Sequence, residues 1–159
     1  MKPKIYVETS VVSYYTGRAS RDVVIAGRQQ STYDFWSLLE DRLAPYVSAL
    51  VLQEAGKGDP VLANMRMQAV RSFPVLRVSS EAEQLAHAII DGRGVPTEYP
   101  EDALHVAVAA TAGVDFIVTW NFAHLNNPFT KMMIRQAVEN QGYECPEIVT
   151  PDAFLGDET

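Results

Sequence analysis

Cysteine is nearly missing from this chain: Cys145 stands alone, so no internal disulfide can form. Long hydrophobic runs are missing as well. Nowhere do roughly 18 apolar residues follow one another, which excludes a membrane-spanning helix. The opening MKPKIYVETS turns polar too soon for the apolar core of a signal peptide. Together these absences lead us to expect a cytoplasmic protein with no membrane partner. Positive charge is scarce too: 13 Lys and Arg face 20 Asp and Glu, leaving a net charge of −7. Most nucleic-acid binders carry a basic excess, because phosphate contacts supply much of their affinity. An acidic balance still suits a nuclease whose carboxylates gather metal ions, since the ions reverse the local field. Equally, the charge could serve solubility alone. Repeats, linkers and low-complexity segments are also lacking.

What remains is an ordinary globular composition, 47% hydrophobic and 21% charged, over 159 residues. That length supports one domain with a real core. We expect a single domain over 1–159, with its core at about 4–150. Residues 4–8 (KIYVE) read as a first strand, followed by a helix capped by Thr9 or Ser10 and ending at Gly17. A longer helical stretch covers 20–43, and 45–47 make a short second strand. Ser48 reads as the cap of a helix that Gly56 and Gly58 stop. Asp59-Pro60 is a helix restart, cap followed by first-turn proline, leading to about residue 71. A third strand at 74–78 precedes a helix capped by Ser79 or Ser80, which breaks at Gly92 and Gly94. Pro100 then opens a helix so apolar between 103 and 112 that most of its faces must be buried. Residues 116–118 form the fourth strand. After Asn127-Pro128 an amphipathic helix runs to Gly142, and 147–150 close with a last strand. Alternation of this kind predicts an α/β fold with a parallel sheet of four or five strands.

In such a sheet the carboxyl ends of the strands meet at one edge, where ligands bind. Glu8 ends the first strand and Asn121 follows the fourth. Asp102 opens the helix before that fourth strand, and Glu54 lies late in the helix after the second. Three carboxylates and an amide are oxygen ligands suited to Mg²⁺ or Mn²⁺. Crowded carboxylates repel one another without a cation. Other polar residues have plainer explanations. Asp59 is a cap, Asp115 a turn residue, His105 a hydrogen-bonded buried histidine and His124 an exposed loop residue. Trp120 fits core packing better than base stacking. Arg18, Arg21 and Arg28 are either a basic rim or a solvated helical face.

At this point the pattern resembles a known family. A strand ending in an acid followed by Thr-Ser (YVETSVVS) is similar to the opening of PIN-domain nucleases, including the VapC-type toxins of toxin–antitoxin operons. VSALVLQEA, with its helical glutamate, then DALHVAVAA and VTWNF resemble the later blocks of that family. The resemblance covers about residues 5–150. It implies a three-layer α/β/α PIN-like domain and divalent-metal-dependent cleavage of RNA phosphodiester bonds. It also implies a homodimer and, for a toxin, a small cognate antitoxin. Carried over by position, Glu8 and Asp102 become the principal metal ligands, with Glu54 and Asn121 completing the catalytic set. The family's first acid is usually Asp, and Glu8 adds a methylene that moves the carboxylate by about 1.5 Å. Its fourth acid is usually Asp as well, and Asn121 is neutral.

The expected mechanism is metal-assisted hydrolysis. Glu54 would accept a proton from the attacking water or bind a second ion, and Thr9 or Ser10 would bind a phosphate oxygen near a helix N-terminus. The alternative is a catalytically weakened PIN-like domain that binds RNA or a protein partner without cleavage. Haloacid-dehalogenase-type phosphatases need a nucleophilic Asp after the first strand and another two residues on, which Glu8-Thr9-Ser10 does not supply. A receiver-type signalling domain needs paired acids and a late strand lysine; neither is present.

Overall fold

Ile5, Tyr6 and Val7 have no exposed surface, and the strand they form is the centre of the molecule. The structure is a computed structural model, described for residues 1–156. β1 (Lys4–Val7) is flanked by β2 (Ala44–Ser48) on one side and β4 (Phe116–Val118) on the other. β3 (Val75–Leu76) and β5 (Glu147–Val149) form the two edges. All pairings are parallel, in the order β3-β2-β1-β4-β5. A strand covered on both faces becomes hydrophobic throughout, and the buried residues 5–7 of β1 and 117–118 of β4 show this.

Among the described residues seven α-helices flank the sheet. α1 (Thr9–Thr16) packs against α2 (Val23–Trp36), α3 (Ala49–Ala55) and α4 (Pro60–Ala69). The second group is α5 (Ser80–Asp91), α6 (Pro100–Thr111) and α7 (Pro128–Asn140). The result is three layers, α/β/α, as the resemblance implied. α5 and α6 meet most extensively, and the buried alanines at 82, 86, 103 and 107 let their backbones approach. Gly94 sits where a side chain would press on Ile134 and Ile89 at 3.0 Å. Gly113, with φ of 73°, makes the left-handed turn from α6 into β4.

Most expected helix starts hold. Ser48, Asp59, Ser79 and Asn127 each accept a backbone N–H at the head of the following helix. Three expectations need correction. Thr9 and Ser10 lie inside α1, whose cap position is Glu8, and no side chain caps it. Their hydroxyls bond to carboxylates instead. The second helix is shorter than 20–43, because Asp22 captures the N–H groups of Val24 and Ile25 and so fixes its start. Beyond Trp36 the chain turns. The third strand keeps only Val75 and Leu76, since it pairs with β2 alone at the sheet edge.

Candidate active site

The strand order reverses at β1: the chain steps outward through β2 and β3, then returns to place β4 on the other flank. Such a switch point opens a crevice beyond the strand carboxyl ends. Val7 and Val118 are register partners, so Glu8 and Thr119 leave the sheet side by side. The Glu8 N–H donates to the Val118 carbonyl at 3.1 Å. Two hydroxyls donate to Glu8 Oε1, from Thr119 at 2.6 Å and from Ser10. Glu8 is only 6% exposed.

Glu54 arrives from α3. Its Oε1 accepts from Thr9 Oγ1 at 2.5 Å and from His105 Nε2 at 2.7 Å. His105 is fully enclosed on α6, one turn after Asp102. Its other nitrogen, Nδ1, lies 2.6 Å from Tyr6 Oη, which lies 2.8 Å from Ser48 Oγ. Ser48 Oγ in turn accepts the Val51 N–H at 3.1 Å. Read from that end, the chain has one complete assignment with a neutral imidazole. Val51 N–H donates to Ser48, Ser48 to Tyr6, Tyr6 to Nδ1, and Nε2–H to Glu54. A protonated imidazole would also keep an N–H on Glu54. In either charge state Glu54 is held by the same donor.

The electrostatics agree. Burial opposes charge on His105, but the Glu54 hydrogen bond and the nearby Glu8, Glu54 and Asp102 carboxylates outweigh it, raising its pKa above 6.5. Burial likewise pushes against the Glu54 carboxylate, yet the bonds from His105 and Thr9 and the Lys57 charge bring its pKa below 4.5. Burial drives the Tyr6 phenol far above its usual range, so it stays protonated and able to donate.

Asp102 stands outside the close group of Glu8, Glu54 and His105, whose potential ligand atoms all lie within 4.8 Å of one another. Asp102 Oδ2 lies 2.7 Å from His124 Nδ1, and the Tyr99 ring lies 4.2 Å from the His124 ring, centroid to centroid. The exposed loop residue of the sequence reading is therefore a half-buried partner of Asp102. Asn121 shapes that loop: its Oδ1 accepts the His124 N–H at 3.0 Å and its own N–H donates to Thr119 Oγ1 at 2.9 Å. Trp120 is packed into the core, its indole N–H on Thr32 Oγ1 at 2.9 Å.

One regularity unites the three carboxylates. Each has one oxygen fixed by protein donors: Glu8 by Ser10 and Thr119, Glu54 by Thr9 and His105, Asp102 by His124. Among the described residues the second oxygen of each has no hydrogen-bond partner. This is how outer groups orient the ligands of a hard cation, and the donor set fits Mg²⁺ or Mn²⁺. Sequence reasoning missed Tyr6, Ser48 and Thr119 as members of the arrangement. A tyrosine in an otherwise aliphatic buried strand was the available signal, because its hydroxyl needs a partner.

The sequence matches no protein-family model and no curated protein. Solved structures do match. VapBC2 from Rickettsia felis, bound to a DNA fragment from their promoter, aligns with 92% of this chain and 98% of its own. The TM-score is 0.60 at 14% identity. Mycobacterium tuberculosis VapC20, a toxin that cleaves the sarcin-ricin loop, aligns over 87% of this chain and 95% of its own. There the TM-score is 0.54 at 17% identity. The fold is PIN-like. At such identities the likeness extends to architecture, and the PIN-like chain must be assigned an activity from its own side chains.

Proposed function

We propose that this PIN-like protein is a divalent-metal-dependent ribonuclease that hydrolyses RNA phosphodiester bonds. The observation that carries the reading is the set of three carboxylates at the switch point, each anchored through one oxygen and open at the other. Glu8 and Asp102 are the proposed metal ligands, with Glu54 and Asn121 completing the catalytic set. When bound, Mg²⁺ or Mn²⁺ supplies a lowered water pKa and neutralises charge on the phosphate. Glu54 takes the proton of the attacking water at the oxygen that His105 and Thr9 leave open. The Thr9 and Ser10 hydroxyl protons already serve Glu54 and Glu8. These two residues therefore bind the substrate phosphate through their backbone N–H groups, at the uncapped start of α1. His124 orients Asp102, and Asn121 holds His124 in place.

The reading extends to biology through the similar structures, a VapBC2 complex and a VapC toxin. It makes the protein the toxin of a type II pair, with a small antitoxin as partner, acting as a cytoplasmic homodimer. No helix among the described residues is long and apolar enough to cross a membrane. Exposed Phe129 and Met132 on α7 offer apolar surface for self-association.

Replacing Asp102 by Ala tests the activity. Mn²⁺-dependent cleavage of RNA is expected to fall below detection, and undiminished cleavage would sink the assignment. The second reading, binding of RNA or a protein partner without cleavage, is favoured by Asn121, whose Oδ1 already serves the His124 N–H. Calorimetric titration with Mn²⁺ separates the two: saturable binding supports the nuclease, and no heat of binding supports the alternative.

A further inference from the structure

Arg28 is the cation of this acidic chain that lies over two aromatic rings, and the carboxylate site does not explain that placement. It is half-buried on α2, its guanidinium 4.9 Å from the centroid of Phe122 and 5.8 Å from that of Trp120. Among the described residues no carboxylate lies within ion-pair distance of it. Several other cations are used within the fold. Arg135 pairs with Glu147 and Glu139, and Arg66 donates to the Ala55 and Lys57 carbonyls. A guanidinium held over aromatic rings by cation–π attraction keeps N–H donors for a partner.

Its position is held by a bonded path that starts at the carboxylates. Ser10 Oγ donates to Glu8 and accepts the Trp120 N–H at 2.9 Å. The Trp120 indole donates to Thr32, and Thr32 donates to the Arg28 carbonyl at 2.6 Å. Trp120 and Phe122 follow within three residues of Thr119, which itself touches Glu8. Three residues of extended chain span about 10 Å at most, so the two rings adjoin the proposed cleavage site. Phe122 is 40% exposed, leaving part of its ring open to solvent.

We propose that Arg28, supported on Phe122 and Trp120, is a phosphate-binding subsite for single-stranded RNA, flanking the phosphate that is cut. The inference rests on the ribonuclease reading above and names how an acidic protein holds a polyanion. Arg28 forks onto a backbone phosphate. The exposed Phe122 ring supports the neighbouring base, since aromatic stacking is how single strands are gripped without regard to sequence. A phosphate beside a ring repeats along a single strand, whereas a carboxylate from a protein partner would use the guanidinium and leave the ring idle.

The test is fluorescence anisotropy of a labelled single-stranded RNA across a salt series, with Ca²⁺ replacing Mn²⁺ and cleavage in Mn²⁺ followed in parallel. For Arg28→Gln, affinity is expected to drop about ten-fold. The slope of log affinity against log salt should shrink by about 0.7, the loss of one phosphate contact on a single strand. KM should rise with kcat nearly unchanged. Phe122→Leu should weaken binding at unchanged slope. Arg28→Lys should keep the slope but bind several-fold more weakly, because the fork is lost. Folding is read from thermal melts, and Arg28→Lys carries the test where Arg28→Gln does not fold. Wild-type affinity and slope in Arg28→Gln, or wild-type affinity in Arg28→Lys where that variant stands in, would overturn the subsite while leaving the ribonuclease reading intact. A wild type that neither binds nor cleaves RNA would remove both.

Discussion

Tyr6→Phe removes one oxygen from the middle of a fully buried chain and leaves the shape of β1 unchanged. Tyr6 Oη bridges Ser48 Oγ at 2.8 Å and His105 Nδ1 at 2.6 Å, and all three residues are at most 1% exposed. The substitution leaves Nδ1 without a partner where water does not reach. An unsatisfied buried polar group costs about 1–3 kcal/mol. Ser48 is less affected, because its Oγ still accepts the Val51 N–H. The net loss should be about 2–3 kcal/mol, with the phenol's own relief from burial limiting it. For a chain of this length that is a fall in Tm of about 5–10 °C. Urea unfolding should show a lower midpoint at unchanged m, since the surface exposed on unfolding is the same. A double cycle with Ser48→Ala should show coupling of at least about 0.5 kcal/mol, as expected for residues in one network. The same variant loosens His105 and hence Glu54, so RNA cleavage should fall about 10–100-fold, the usual cost of removing an outer-shell support. A stability loss under about 0.5 kcal/mol, or additivity with Ser48→Ala, would refute the buried chain.

Stability of the metal-free protein should follow the His105–Glu54 pair. The raised His105 pKa contributes stability that is fully present below 6.5 and lost as pH rises through the folded value. The lowered Glu54 pKa contributes stability present above 4.5 and lost as pH falls through its folded value. The Tm difference between wild type and His105→Gln is therefore expected to be widest from pH 4.5 to 6.5 and to narrow on the alkaline side. A difference that does not narrow as the pH rises above 6.5 would remove the charged imidazole from the account. Asn121→Asp keeps the acceptor for the His124 N–H and adds a charge. Stability should stay within about 0.5 kcal/mol, and Mn²⁺ affinity by calorimetry should rise. Unchanged affinity would confine Asn121 to the turn.

The helix starts at Ser48, Asp59, Ser79 and Asn127 were legible because a cap bonds to N–H groups only two or three residues ahead. Pro100, at the first position of α6, was legible for the same local reason. The start of α1 was misread where a longer-range competitor existed. Thr9 and Ser10 have the residue types of caps, yet Glu54 and Glu8 claim their hydroxyls. Three of the four proposed site residues could be picked out as an acid after a strand, an acid opening a helix and an amide after a strand. Glu54 had no local signature, since its placement depends on His105 from another helix.

The sequence alone determined the alternation of strands and helices, the apolar centre and the positions where acids meet strand ends, because those follow from contacts within a few residues. Tertiary structure decided which partners each acid has. Thr119 reaches Glu8 across 111 positions and Tyr6 reaches His105 across 99, through a strand order that reverses at β1. Hydrogen bonds of that separation depend on register and layer packing, which no short stretch of chain encodes. The same holds for Arg28, a helical arginine like its neighbours until Thr32 and Trp120 dock α2 against the end of β4.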